Sequence, residues 1–288
     1  MLHALQEAAN CHGDRLALLS ADRLPDVQLD FDRFGLDTSP FFDFSPRKDL
    51  GFSARSLLIV ASPSKAATLK LHGVGGSMKD VAIPAGYVDF ENAEERIHGY
   101  LGALLHKEGF SLKSAPRLPR KAIAAHAGLG RYGRNNTILV SGMGSFLTLN
   151  LFFSDLPADG ALFEPFARAE CCEGCHLCIK NCPTGALSEQ SELVEIGRCL
   201  TWLNEQGGEF PAWVEPSWHN ALIGCTKCQF CCPQNSQFLS EMLTIELDEA
   251  ESEALLGGKA SEELLKKLGM DPFYAAVFRR NLAALRGQ

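Results

Sequence analysis

"CCEGCHLCIKNCPTG", residues 171–185, holds five of the eleven cysteines in a chain of 288 residues. Cys172, Cys175, Cys178 and Cys182-Pro183 follow the spacing C-x2-C-x2-C-x3-C-P, the run found in bacterial two-cluster ferredoxins. Two-residue loops set the first three sulfurs on one concave surface. The fourth turns away at the proline and serves the other cluster. Cys171 lies outside this spacing and reads as a bystander. The remaining sulfurs come from further along. In "GCTKCQFCCPQN" (residues 224–235), Cys225 and Cys228 are C-x2-C, and Cys232 precedes Pro233. Cys231 is the unused half of a second doublet. One ligand is still missing, and Cys199 in "RCLTWLNE" supplies it.

The expected partition is therefore Cys172, Cys175, Cys178 and Cys232 around cluster one. Cys182, Cys199, Cys225 and Cys228 surround cluster two. Both are 4Fe–4S clusters. Structural zinc held by paired C-x2-C motifs is the competing reading, and the proline-anchored triplets fit it poorly. Cys11 reads as a small buried hydrophobe.

The rest of the composition is that of an ordinary globular protein: 46% hydrophobic residues, enough for a sizeable core. The net charge of −8 argues against a non-specific nucleic-acid binder. No stretch reaches the roughly 18–20 apolar residues of a membrane span. The opening "MLHALQEAANCHGDRL" has neither a basic region before an apolar run nor a twin arginine. The expectation is a cytoplasmic protein without membrane contact. Disulfides are disfavoured there, which leaves the cysteines to metal.

Three regions are expected: an α/β domain over 1–160, a ferredoxin-like two-cluster domain over 161–238, and a helical tail over 239–288. The first forty residues read as an amphipathic helix and a loop containing Pro25 and Pro40. "SLLIVAS" (56–62) is a buried strand. "TLKLHGVGGSMKDVAI" (68–83) is a hairpin turning at Gly73–Gly76, and Asn92 caps the helix that follows. "RKAIAAHAG" (120–128) is a short helix. "NTILV" and "SFLTLNLFF", joined through "SGMG", read as a strand pair.

The segment "AHAGLGRYGRNNTILVSGMGSFLTLNLFFSDLP", taken with the cysteine motifs, resembles the shared core of epoxyqueuosine reductases and reductive dehalogenases. "RCLTWLNE" and "GCTKCQFCCPQN" are similar to the first of these. The resemblance is strong over about residues 122–235. It implies an α/β corrinoid-binding domain ahead of the two-cluster domain, and base-off cobalamin reduced to cobalt(I) by the nearer cluster. An external donor such as a ferredoxin or flavodoxin would feed the clusters, and the substrate would be small or nucleoside-like. The glycine loop implied to line the corrinoid contains Gly128, Gly130, Arg131, Gly133, Arg134, Asn135 and Asn136. Gly144 and Ser145 come from the following hairpin. Glycines permit close backbone approach to a planar ligand, and the arginines and asparagines supply donors.

Two departures bear on the substrate. The family's acidic proton donor precedes a "SAP"-like stretch, and here "LKSAP" has Lys113 at that place. Lys113 and Tyr132 are the expected proton donors instead. The family's tRNA-binding helical extension has no counterpart beyond "RRNLAALRGQ", which disfavours tRNA. Two other readings remain open: a ferredoxin-like electron carrier, and a protein that reactivates another protein's corrinoid.

Overall fold

The computed structural model describes residues 1–37, 39–45, 49–72, 79–88, 90–191, 193–270 and 272–286. The chain begins with helix α1 (Leu2–Cys11), strand β1 (Arg15–Ser20), helix α2 (Leu24–Arg33) and strand β2 (Ser56–Pro63). Strands β3 (Ala67–Leu71) and β4 (Lys79–Ile83), helix α3 (Phe90–Lys107), strand β5 (Leu112–Ser114) and helix α4 (Arg120–His126) follow. Two short strands, β6 (Arg131–Tyr132) and β7 (Ile138–Leu139), precede the long β8 (Leu147–Ser154).

The central sheet has the order β1-β2-β8-β5 and every neighbouring pair is antiparallel. Strand β2 reads as a nearly unbroken apolar run because both its faces are covered. Leu57, Ile59 and Ala61 face the core under α4, and Leu58 and Val60 face the core under α1 and α3. This is the two-residue period of a strand with no solvated side.

Beyond the cysteine-rich segment, strand β9 (Leu243–Leu247) runs parallel to β3 in a second sheet of order β4-β3-β9. The final helices lie over that sheet. Leu255, Leu264, Leu268, Phe278 and Leu282 share its buried core with Leu69, Val81 and Ile83. Strands β3 and β4 therefore pack with the tail, and the tail is not purely helical.

Other expectations shift locally. The first forty residues contain β1 and α2 as well as α1; Pro25 sits in the first turn of α2, where its missing N–H costs nothing. Helix α3 starts at Phe90, so Asn92 lies inside it. "NTILV" pairs back onto Arg131–Tyr132, whereas β8 joins the central sheet. The Gly73–Gly76 turn lies outside the described residues.

One polar cluster is set into this apolar frame. The Asp14 carboxylate is fully buried and accepts from Arg96 (2.8 and 3.0 Å), Ser62 (2.7 Å) and Tyr100 (2.8 Å). Burial, then the bond to Asp14, raises the Tyr100 pKa, so its hydroxyl stays a donor. Arg96→Met leaves the carboxylate without its counter-ion. We expect a loss of about 3 kcal/mol in urea unfolding, at the low end for broken buried pairs because Arg96 is partly exposed. A loss under about 1 kcal/mol would contradict this.

Candidate functional site

The cysteine-rich segment is built from two equivalent turns. Helix α5 (Leu177–Lys180) carries Cys178; after helix α6 (Leu200–Glu205), helix α7 (Lys227–Phe230) carries Cys228. Each helix is four residues long and is followed by Cys-Pro. A proline disfavours helical backbone at the residue before it, and Cys232 is accordingly extended. Helix α8 (Ser236–Leu239) then leads to β9, and α9 (Glu249–Leu256), α10 (Glu262–Leu268) and α11 (Ala275–Arg286) complete the chain.

The thiols fall into two adjoining groups. Cys232 lies within electrostatic reach of Cys172 and Cys175, and Cys178 of the same two. Cys228 is flanked by Cys225, Cys199 and Cys182, and Cys225 by Cys199 and Cys182. Cys178 also neighbours Cys228, where the groups meet. Burial first, and the neighbouring thiols second, push Cys228 well up and Cys178 up to about 11. Metal-free, these thiols keep their protons, and cluster assembly must displace them. Among the described residues no three His, Cys, Asp or Glu side chains close on a single-ion site.

Backbone and side-chain donors point at these sulfurs. The Arg134 amide donates to Cys172 Sγ at 3.4 Å and its Nη2 to the Cys172 carbonyl at 3.4 Å. Asn220 Nδ2 donates to Cys225 Sγ at 3.3 Å. Arg134 Nε is buried without a partner, a spare donor beside the first group. Donors around sulfur suit a cluster, whose negative charge they stabilise.

A latch joins this segment to the central-sheet body. Asn235, fully buried, accepts from the Ser145 amide at 2.8 Å and donates to Ser145 Oγ and the Gln229 carbonyl, both at 2.9 Å. Gln229 returns two bonds to Ser145, and Asn135 donates to the Cys228 carbonyl at 3.2 Å. Gly144 has φ +56°, and a Cβ there would strike Asn235 and Gln234.

Beside the latch lies a cavity of about 750 Å³, open at one side. One wall comes from α2 and α4: Asp30, Phe31, Phe34, Lys121 and His126. A second comes from Leu147, Thr148 and Leu149 of β8, and a third from Leu193, Val194, Ile196 and Gln229 of the cysteine-rich segment. Lys121 Nζ donates to the Asn136 carbonyl at 3.0 Å and so supports the left-handed turn there (φ 61°). The enclosure pushes the Lys121 pKa down, opposed by Cys199, Glu205 and Cys228. Its side chain is exposed to the open cavity and lies within electrostatic reach of Cys199 and Cys228 of the second thiol group. His126 is buried, stacked on Phe163, with its ring nitrogens on the Glu164 carbonyl (2.7 Å) and Asp30 (3.0 Å).

The structure distributes the expected pocket residues unevenly. Tyr132, Gly133, Asn136 and Ser145 line the cavity. Arg134 and Asn135 face the cysteines instead. Gly128, Gly130 and Arg131 border a separate, smaller hollow. A Cβ on Gly130 would meet Ile138 and the Leu139 carbonyl, both at 2.7 Å, so the β6–β7 packing requires glycine there. Lys113 is exposed at the Asp49 carbonyl (3.3 Å) and is not among the lining residues. The α2 wall, Gln229 and Asn235 were not singled out from sequence; the "CPQN" following Cys231 was the available signal for the last.

Residues 171–235 match the family model for a 4Fe-4S double cluster binding domain. This segment is a two-cluster iron–sulfur domain. The chain is also similar to curated oxidoreductases. The epoxyqueuosine reductase of Pseudomonas aeruginosa is 36% identical over 144 residues, which cover 49% of this chain and 37% of that protein. The chain thus spans well under half the length of that relative. The solved epoxyqueuosine reductase of Streptococcus thermophilus superposes with a TM-score of 0.69 at 19% identity, over 99% of this chain and 80% of that one. An epoxyqueuosine reductase solved with a tRNA stem loop superposes at 0.68 and 22% identity, over 98% and 80%. At these identities the superpositions show a common fold.

Serine at Cys182 or Cys199 should remove one cluster from the two-cluster domain and leave the other. Iron and sulfide should fall from about eight to about four per chain, measured after anaerobic reconstitution. Retention of all the iron would contradict the second group. A pH effect follows from the raised thiols. In metal-free protein the folded state holds these protons more tightly than the unfolded chain. Its stability should therefore be complete below pH 9 and decline as pH rises towards about 11, the Cys178 value. Thermal melts of metal-free and cluster-loaded protein compared across that range should show the decline only in the former.

Proposed function

We propose that the protein is an iron–sulfur reductase of the epoxyqueuosine reductase kind. Cys172, Cys175, Cys178 and Cys232 hold one cluster, and Cys182, Cys199, Cys225 and Cys228 hold the other. An external donor, a ferredoxin or flavodoxin, loads them with electrons. The observation that carries this reading is the cavity: one of its walls belongs to the two-cluster domain, and Lys121 faces both the cavity and the second thiol group. An electron carrier needs no such chamber.

The chamber fits a large, mostly apolar cofactor. Its volume lies in the upper part of the range of ordinary small-molecule sites, about 300–1,000 Å³, and aliphatic and aromatic side chains dominate its walls. We assign it to base-off cobalamin, held by Gly133, Asn136, Thr137, Ser145, Leu147 and Gln229. Bound there, the corrinoid would supply a strongly reducing, nucleophilic metal centre. The protein's own residues do the rest. Lys121 offsets the negative charge that arrives with each electron. Phe31, Phe34 and Phe166 exclude water from one end.

Tyr132 keeps its proton because burial raises its pKa, so it suits protonation of a strongly basic oxygen formed on the substrate. Lys113, turned to Asp49, is less well placed for this. The substrate class is a small or nucleoside-like molecule. The relative solved with a tRNA stem loop makes a nucleoside within tRNA one member to test.

Anaerobic titration with cobalamin should give a base-off spectrum with saturable binding. Leu147→Trp, which fills the chamber, should weaken binding at least about tenfold, the equivalent of 1.4 kcal/mol, with the iron content unchanged. Wild-type protein that binds no cobalamin in either redox state would remove the corrinoid and leave an electron carrier.

A further inference from the structure

The two cysteine doublets both sit on the same group of thiols. Cys171 and Cys172 share one turn, Glu170–Cys172, and Cys171 also reaches the neighbourhood of Cys232. Cys231 ends α7, with its thiol donating to the Cys228 carbonyl at 3.7 Å. It adjoins Cys232, Cys175 and Cys178. The thiols that flank Cys225 and Cys228 are Cys182, Cys199 and, where the two groups meet, Cys178. Cluster one therefore has six thiols for four iron sites.

Filling an apolar core does not explain the extra pair. Cys171 is exposed and Cys231 is only partly buried. Bare thiols beside a redox centre are sites of oxidation unless they have work to do. Resting on the two-cluster reading, we propose that Cys171 and Cys231 are reserve ligands of cluster one, each able to replace its neighbour, Cys172 or Cys232. The exchange is acid–base balanced and moves no electrons. The entering thiol releases its proton to solvent, its thiolate takes the vacated iron, and the departing thiolate picks up a proton. A cluster with such reserves keeps its iron when one ligand is oxidised or displaced. The second and third ligands of the run have no such freedom: Cys175 and Cys178 have no adjacent cysteine to take their place.

The test counts iron and sulfide and records electron paramagnetic resonance spectra of reduced, anaerobically reconstituted protein. Cys172→Ser and Cys232→Ser should each retain about eight irons, with the signal of one cluster altered by its new ligand. The double variants Cys171→Ser/Cys172→Ser and Cys231→Ser/Cys232→Ser should fall to about four. Cys171→Ser and Cys231→Ser alone should match the wild type. Cys175→Ser, without a reserve, should fall to about four and shows what a folded chain lacking cluster one looks like. Equal iron loss in the single and double variants would overturn the proposal. Wild-type protein without two clusters would instead overturn the two-cluster reading beneath it.

Discussion

The contact between Asn235 and the Gly144-Ser145 turn is the constraint on which the rest of the arrangement depends. The Asn235 side chain uses both ends of its carboxamide, and its two bonds to Ser145 are buried. It fixes the cysteine-rich segment against the strand that begins at Leu147, and Gly144 is the residue that allows the two backbones to meet. Cys232 is three residues before Asn235, and Gln229, one residue after Cys228, is tied to the same serine. The latch thus sets where both thiol groups stand relative to the cavity. A buried amide pair like this is costly to leave half-made, so the junction is either formed whole or lost.

Electrostatics follows from that geometry. Buried thiols resist ionisation, and crowding with other thiols makes it harder still. Their proton affinity turns cluster insertion into part of folding, since iron must pull protons from groups that the fold has desolvated. On the cavity side the chain places a cation, Lys121, near Cys199 and Cys228. Glu205 is close by, half-buried and hydrogen-bonded to Tyr87, and its carboxyl pKa is raised mainly by desolvation. A single positive group among thiols and a carboxyl is the local charge that a reduced cluster would meet on the way to the chamber.

Much of this was legible in local sequence. The ferredoxin spacing depends on two- and three-residue loops, and the apolar run at residues 56–62 marks a strand buried on both faces. Both signals are complete within a few residues. What could not be read was non-local. The pairing of β9 with β3 joins Leu243 to Ala67, and nothing near either residue announces it. The glycines of "AGLGRYG" looked like a ligand cradle; Gly130 is small because Ile138 and Val140 fold back against it. His126, in the short helix at residues 120–128, is held between the Glu164 carbonyl and the Asp30 carboxylate at the cavity wall, a contact that joins residues far apart in sequence. Pro25 suggested a loop, whereas a first-turn proline starts the helix that brings Phe31 and Phe34 to the chamber.

The account stands on electron passage from the two-cluster domain into the chamber, and one experiment observes that passage directly. Protein is reduced anaerobically, freed of excess reductant, and mixed with cobalamin while the cluster and corrinoid absorbances are followed together. The account predicts that the clusters reoxidise as the corrinoid is reduced, with matched kinetics and matched electron counts. Clusters that remain reduced beside an unchanged corrinoid would contradict it.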